Sequence, residues 1–228
     1  MLGQSQPRFD LLQVFTERKV LLVSLAKGLL GPETAQLFGA LVFNQLWQTV
    51  LGRVRIPPER RHPIMVYLDE FQDYLRLPTD LSDVLAQARG LGVGMTLAHQ
   101  HLGQLTADVR AAVLANAGSR VCFRLNHDDA AVFARGSRVP AAEDFRGLGR
   151  YEAYLSLLAA GERTPWASGR TRAPEPPTRE SSDVRRRSRQ HFGAEAASVE
   201  AEVRRLISEP ADLLKAADIG RRPRGGAS

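Results

Sequence analysis

The stretch "PIMVYLDEFQDYL" (residues 63–75) decides the fold, because an apolar run in it ends at two adjacent carboxylates. Four apolar residues, from Met65 to Leu68, lead directly into Asp69 and Glu70. Apolar runs of this kind form buried strands, and open parallel sheets bind ligands outside the carboxyl ends of their strands. The stretch therefore predicts a strand that places two carboxylates at a ligand site.

Strands and helices are predicted to alternate around this stretch. The run 19–25, "KVLLVSL", is expected to be a strand buried on both faces. In the helix predicted over 31–52, Leu37, Phe38 and Leu41 recur at helical spacing and are expected to face the core. Further strands are expected at 64–70, 93–100, 119–125 and 151–159, with helices at 79–89, 105–117 and 127–136, the last capped by Asn126. This order predicts an α/β fold with a mainly parallel sheet and flanking helices.

The composition changes after residue 160. Residues 161–192 are rich in Pro, Arg, Ser and Thr and lack an apolar period, which predicts a disordered linker. A short helical tail is expected over 193–228, with its helix at 194–207. Residues 1–160 are thus expected to form the folded domain, followed by a disordered basic tail. The arginine run at 185–187 suggests an acidic partner or nucleic acid, although such runs are usually solvated.

Charge, cysteine content and hydropathy limit the class of protein. The formal net charge is +6, and the single Cys122 excludes a disulfide framework within the chain. Cys122 is expected to be a buried hydrophobe rather than a reactive thiol. No signal peptide or membrane span is visible, since the longest apolar candidate, "LFGALVF", is far shorter than the roughly 20 residues needed. These features predict a cytoplasmic location.

Four residues are candidates for chemistry at the strand ends. Asp69 is expected to hold magnesium beside a nucleotide, and Glu70 to take a proton from the attacking water. Gln100 ends the next strand at the same sheet edge and can sense the γ-phosphate or orient water. Arg89 closes the intervening helix, where it either complements the helix dipole or acts as an arginine finger on a neighbouring subunit. For the carboxylates and Gln100, the alternative is an ordinary polar strand end.

A phosphate-binding loop of the Gly-Lys-Ser/Thr type is absent from the sequence. The chain has three lysines, Lys19, Lys27 and Lys215, and none of them follows a glycine. In such a loop, the lysine neutralises phosphate charge and the hydroxyl binds magnesium. We therefore expect this chain not to hydrolyse ATP by itself, and expect ATP and magnesium to bind only when a segment with this Walker A loop completes the site.

Four segments resemble one family. The segments "KVLLVSLAKGLLGPETAQLFGALVFNQLWQTVLGR", "PIMVYLDEFQDYL", "LSDVLAQARGLGVGMTLAHQHLGQL" and "ANAGSRVCFRLNHDDA" are similar to the C-terminal half of TraD/TraG-type coupling ATPases, related to HerA and FtsK translocases. The likeness covers about residues 8–160 and includes the region of those proteins called the TraM recognition domain.

The resemblance implies a RecA-like P-loop NTPase core whose Walker A half is missing here, hexameric assembly, and DNA pumping in conjugation or type IV secretion. It also implies partners among relaxosome or effector proteins. By this likeness Asp69 is the Walker B carboxylate, Glu70 the catalytic base, Gln100 the sensor, and Arg89 a residue that acts on a neighbouring subunit. Two alternatives stay open: a non-enzymatic adaptor that docks relaxosome or effector proteins, and a fragment of a HerA-like DNA translocase.

Overall fold

The computed structural model of the protein describes residues 9–74 and 81–208. These residues fall into two compact units, one spanning Leu11–Glu175 and the other containing residues 9–10 and 176–208. The helices are α1 (Leu11–Thr16), α2 (Lys27–Leu30), α3 (Pro32–Leu51), α4 (Leu81–Ala88), α5 (Ala107–Asn116), α6 (His127–Phe133), α7 (Ala142–Arg146), α8 (Ser181–Phe192) and α9 (Ala196–Ser208). The strands are β1 (Ile64–Leu68), β2 (Val93–Leu97), β3 (Arg120–Cys122), β4 (Glu152–Ser156), β5 (Leu158–Ala159), β6 (Glu162–Arg163) and β7 (Ala167–Arg170).

The strands β1 and β2 form the predicted parallel pair, with α4 in the connection between them. Their register runs from Ile64 opposite Val93 to Leu68 opposite Leu97, so both strands end at the same edge. Alternate side chains face a core built with residues of α3, α4 and α5. Burial of each large apolar side chain in this core contributes roughly 1.5–3 kcal/mol. The opposite face is open, since Met65 and Tyr67 are exposed.

The buried face of α3 differs from the predicted one. The helix begins at Pro32 and has Glu33 in its first turn, as expected. Its buried residues lie at helical spacing along one stripe: Ala35, Gly39, Ala40, Phe43, Trp47 and Val50. Leu37 and Leu41, which the sequence placed in the core, are exposed. The stripe is rotated because it includes small residues that allow close approach: a Cβ at Gly39 would collide with the Tyr74 ring.

The prediction that residues 19–25 form a strand buried on both faces is wrong. Residues 19–26 have no strand pairing, and Val20 and Leu22 are more than four-fifths exposed. A strand requires a neighbouring edge for its backbone N–H and C=O groups as well as apolar side chains. Among the described residues β1 pairs only with β2, so this run has no strand partner there.

Two other predicted strands form, but they do not join the parallel sheet. β3 lies within 119–125 and β4 within 151–159, and they pair antiparallel with Arg120 opposite Ser156. Their sheet has the order β3-β4-β7 and packs on a second cluster that includes Cys122, Ala130 and Phe145. Cys122 is buried as expected, and burial raises the pKa of its thiol to about 12. The direction of these strands is the feature that apolar runs alone could not give.

The segment 161–192, predicted to be a disordered linker, contains two strands and a helix, while residues 171–180 between them have neither. β6 pairs with β5, β7 pairs along β4, and α8 follows at Ser181–Phe192. Trp166 anchors β7, with its ring 5.2 Å from the Phe145 ring centroid in an edge-to-face contact. Backbone pairing does not depend on side-chain polarity. The polar segment β7 is therefore ordered by its pairing with β4 and by the aromatic contact of Trp166.

Because of these contacts, the folded unit ends later in the chain than the predicted boundary at residue 160. The compact unit extends to Glu175, so a domain boundary at 160 would divide the antiparallel sheet. The tail helix predicted over 194–207 is present as α9, and residues 209–228 lie outside the described part of the chain. None of the helices that the structure describes is long and apolar enough to cross a bilayer.

Candidate nucleotide site at the strand ends

The carboxyl ends of β1 and β2 bring Glu70 and Gln100 together, as the sequence predicted. The Gln100 side chain donates from Nε2 to Oε1 of Glu70 over 2.8 Å. The second carboxylate oxygen, Oε2, accepts from Nε2 of Gln72 over 2.6 Å. Both oxygens of Glu70 are therefore held by amide donors, one from each strand end.

The backbone at Glu70 fixes this arrangement. Glu70 has φ of 51° and ψ of 45°, the left-handed conformation that non-glycine residues seldom adopt. It directly precedes the short turn Phe71–Asp73, and the N–H of Phe71 donates to the carbonyl of Ala98 over 3.2 Å. Strained backbone of this kind tends to occur at functional sites. The turn thus points the carboxylate towards β2 rather than along the continuation of β1.

The charge state of Glu70 follows from its partners. Hydrogen bonds from Gln72 and then Gln100 lower the pKa of Glu70, with a smaller contribution in the same direction from Lys27. Glu70 is therefore ionised at neutral pH and able to accept a proton. Release of one of these two hydrogen bonds would free a carboxylate oxygen of Glu70 to bind a water molecule.

Asp69 is the neighbouring exposed carboxylate. Within residues 9–74 and 81–208 it has no hydrogen-bond partner, and no group of three or more His, Cys, Asp or Glu side chains could hold a metal. Magnesium in nucleotide sites commonly takes one or two protein carboxylates, with waters and phosphate oxygens as its other ligands. A single available carboxylate fits magnesium that arrives with a nucleotide, but not a site built from protein ligands alone.

Lys27 is a neighbour of the site that the sequence pattern did not identify. Its ammonium pairs with the carboxylate of Asp73, three residues beyond the left-handed Glu70, and this hydrogen bond raises the pKa of Lys27. The one feature of the sequence that could have identified Lys27 is its position shortly after the apolar run 19–25, which was predicted to be a strand. Gln72 was also missed, because a polar residue after a strand end has no distinctive pattern.

The loop after β2 is held by contacts that the sequence did not reveal. Oε1 of Gln104 accepts the backbone N–H groups of Gln100 and His101 over 3.1 and 3.2 Å. The buried Asp129 accepts the N–H of Leu102 over 2.9 Å, which ties α6 to this loop. Burial lowers the pKa of His99 below its usual value, which favours a neutral imidazole. These contacts fix the backbone from which Gln100 projects.

Arg89 is not part of this cluster. It follows α4 and precedes β2, so it lies at the amino edge of the strand pair, whereas Glu70 lies at the carboxyl edge. Five-residue strands separate the two edges by about 16 Å. The arginine is exposed, close to a turn in which Arg61 donates to the Gly90 carbonyl over 2.5 Å. Within one chain the structure therefore separates Arg89 from Asp69, Glu70 and Gln100.

Comparison with known proteins first confirms the class of fold. A plasmid coupling protein, TrwB, in complex with a non-hydrolysable ATP analogue, has a TM-score of 0.51 at 17% identity, covering 64% of this chain and 40% of the other. TrwB in complex with ADP and Mg²⁺ gives 0.50 at 18% identity, covering 60% and 36%. The chain spans about two fifths of these TrwB chains. The chain thus shares an α/β fold with part of the TrwB chains.

The sequence comparison then identifies the family likeness. Residues 63–134 match the family model described as the TraM recognition site of TraD and TraG. Over this region the chain is similar to TraD and TraG, and the matched range contains Asp69, Glu70, Arg89 and Gln100. No curated protein matches the chain.

Proposed function

We propose that this chain is the C-terminal part of a DNA-transfer coupling ATPase acting in conjugation or type IV secretion. The observation that carries the proposal is the hydrogen bond between Glu70 and Gln100, located directly after Asp69 at the carboxyl edge of a parallel strand pair. The family match to residues 63–134 supports it. The full assembly would be a hexamer that acts on DNA in the cytoplasm, joined to the inner membrane by a further segment or by partners.

Each residue has a role that its geometry permits. Asp69 presents an exposed carboxylate beside Glu70 and would hold magnesium, which neutralises phosphate charge when it is bound with ATP. Glu70 is ionised and would accept the proton of the attacking water. Gln100 would orient that water once its amide turns from the carboxylate. Because both Glu70 oxygens are now occupied, this step requires a change in the hydrogen bonds.

ATP hydrolysis tests the proposal. We expect the 228-residue chain to show no turnover, and magnesium-dependent turnover once a polypeptide with the Gly-x-x-x-x-Gly-Lys-Ser/Thr loop is supplied. In that mixture Glu70→Gln should lower kcat by roughly 10²–10⁴-fold. Glu59→Gln is the control, since Glu59 is an exposed carboxylate in the turn Pro58–Arg60. Undiminished turnover in the Glu70→Gln mixture would show that this carboxylate is structural.

The position of Arg89 predicts that it acts between subunits. In an oligomer, Arg89→Ala subunits mixed with Glu70→Gln subunits should recover activity where an intact Glu70 faces an intact Arg89. An arginine finger contributes about 10³–10⁵ in rate, whereas a helix-dipole partner contributes only roughly 0.3–1 kcal/mol of stability. If Arg89→Ala lowers Tm and leaves turnover per folded oligomer unchanged, the arginine is a helix-end cation.

A second candidate function is supported by the matched family model. Its description concerns a recognition site for TraM, so residues 63–134 could serve a non-enzymatic adaptor that docks a relaxosome protein. The exposed pair Met65 and Tyr67 lies within this range. Binding of a TraM-type protein to the chain, weakened in the Met65→Ser/Tyr67→Ser variant, tests this function. The adaptor is favoured if this result is obtained and no supplied loop segment restores ATP turnover.

A further inference from the structure

The helix α8 has an unusual concentration of arginines. Its sequence, "SSDVRRRSRQHF", contains four arginines and one aspartate, and none of its residues is buried. Arg186 is paired with Asp183 over 2.5 Å. In the described part of the chain, Arg185, Arg187 and Arg189 have no carboxylate partner within salt-bridge distance. The cost of holding these like charges together is not offset within the described residues.

Helical geometry places three of the four arginines on one side. At about 100° per residue, Arg185, Arg186 and Arg189 lie within an arc of about 100°, and Arg187 lies roughly opposite to Arg185. Arg185 and Arg189 are separated by about 6 Å along the axis. The helix therefore has a basic face, defined by Arg185, Arg186 and Arg189, and a different face that includes Val184 and Arg187.

The lack of apolar surface on α8 decides which kind of partner it fits. A helix that lies on a membrane requires a continuous apolar face, and protein interfaces require an apolar core with aromatic anchors. The two large apolar residues of α8 are Val184 and Phe192, and the Phe192 ring already packs edge-to-face on Phe9 at 5.5 Å. A nucleic acid needs no apolar contact, because its regular phosphates attract arginines and release counterions on binding.

We propose that the basic face of α8 is a nucleic-acid-binding site, on which Arg185, Arg186 and Arg189 contact the phosphate backbone without preference for sequence. Phosphate contacts position a protein on nucleic acid but carry no direct sequence information. The site would provide a surface that contacts DNA in the proposed DNA-transfer function. It does not depend on the nucleotide chemistry proposed for Asp69, Glu70 and Gln100. It belongs to the unit with residues 176–208, whereas Asp69, Glu70 and Gln100 belong to the unit Leu11–Glu175.

The test uses the full chain and fluorescence anisotropy with labelled 20-nucleotide single strands and duplexes of two unrelated sequences. We expect binding to both sequences with equal affinity and a linear fall of log K with log salt. Arg185→Gln/Arg189→Gln should weaken binding on the order of tenfold per arginine and reduce the salt slope by about one per arginine. The charge-matched control Arg179→Gln/Arg187→Gln, which leaves the basic face intact, should have a clearly smaller effect.

Equal losses in the two double variants would overturn the proposal, since they would indicate a solvated charge run without a binding face. Equally tight binding to phosphatidylserine/phosphatidylcholine vesicles, or equal competition by polyglutamate, would also overturn it. Circular dichroism checks that helix content is retained. Arg185→Lys/Arg189→Lys keeps the charge and should keep most of the salt slope, and a slope as low as that of the glutamine variant would contradict phosphate contact. If the unaltered chain fails to bind DNA while ATP turnover with the supplied loop segment is intact, the site on α8 is rejected and the proposed nucleotide chemistry is not.

Discussion

The parallel pair β1-β2 and the antiparallel sheet β3-β4-β7 lie in the same compact unit, but they are encoded in different ways. β1 and β2 are joined through one helix, and the candidate site follows directly from their two ends. β7 pairs with β4 across a polar segment and is anchored by one aromatic side chain, Trp166. The difference shows that local apolar patterns locate β1 and β2, whereas the formation of β7 and the antiparallel direction of its sheet depend on a few contacts between distant segments.

The largest effects should come from the two fully buried phenylalanines. Phe71 lies in the core beneath β1-β2, and Phe145 lies in the cluster beneath β3-β4-β7. We expect Phe71→Ala and Phe145→Ala each to lower the free energy of unfolding by about 3–5 kcal/mol, through lost burial and the cavity left behind. The half-exposed Phe123→Ala serves as the control, with a much smaller loss.

A second pair of variants tests whether the two sheets unfold together. The chain has two tryptophans, Trp47 in the first core and Trp166 beside the second. Trp47→Phe and Trp166→Phe therefore give single-tryptophan reporters of each region. We expect coincident urea transitions from both reporters, because both regions lie in one compact unit. Separate midpoints would show that the sheets are independent folding units.

A smaller effect is expected from removing the anchor of β7. Trp166 is half-buried and contacts the rings of Phe145 and Phe133 at 5.2 and 6.5 Å. Trp166→Ala should cost about 2 kcal/mol, less than truncation of a fully buried aromatic residue. Amide exchange should rise at Ala167–Arg170 and stay unchanged at β1. Unchanged protection of β7 would mean that backbone pairing alone orders this segment.

The helix cap at Asn126 should have an effect of about 1 kcal/mol. Its side chain accepts the backbone N–H of Asp129 over 2.8 Å, as expected for the residue before α6. Asn126→Ala removes the acceptor, whereas Asn126→Ser keeps one and should retain most of the stability. Thermal unfolding of both variants measures the difference, and equal losses would indicate that packing rather than capping is responsible.

The smallest effect concerns the pH dependence contributed by Glu70. Its pKa in the folded chain is lowered from the usual 4.5, so the folded state favours the ionised carboxylate. This stabilisation is present above the unfolded pKa and is lost as the pH falls through the folded pKa. Glu70→Gln should therefore reduce the change in the free energy of unfolding between neutral and acidic pH. Urea titrations at several pH values, with Glu59→Gln as the control, measure this change. If stability changes equally with pH in both variants, the hydrogen bonds from Gln72 and Gln100 to Glu70 do not persist in solution.

Much of the candidate site could be predicted because it depends on short-range rules. The apolar run Met65–Leu68 ends at Asp69, and parallel strands end at one edge, which brings Gln100 to Glu70. The amide contact from Gln72 and the ion pair of Lys27 with Asp73 could not be predicted. They depend on the left-handed turn at Glu70, a conformation that a glutamate in the sequence does not suggest.

The errors in the fold have a common physical cause. Residues 19–25 have the composition of a buried strand but no strand partner, whereas residues 167–170 have a polar composition and a partner in β4. Composition describes what a segment gains by burial, but a strand also needs an available edge with matching direction. The location of such edges is set by the rest of the fold.

The narrowness of the parallel sheet has a practical consequence for the purified chain. In the described residues β1 and β2 form a sheet of two strands, and one of its faces exposes Met65 and Tyr67. Among the described residues each of these strands also has one edge without a strand partner, and such an edge is a template for strands of other molecules, which natural proteins usually cover or charge. We expect the chain to remain clear when dilute and to scatter light increasingly as it is concentrated, so its yield in the laboratory will be set by this edge rather than by the stability of its cores.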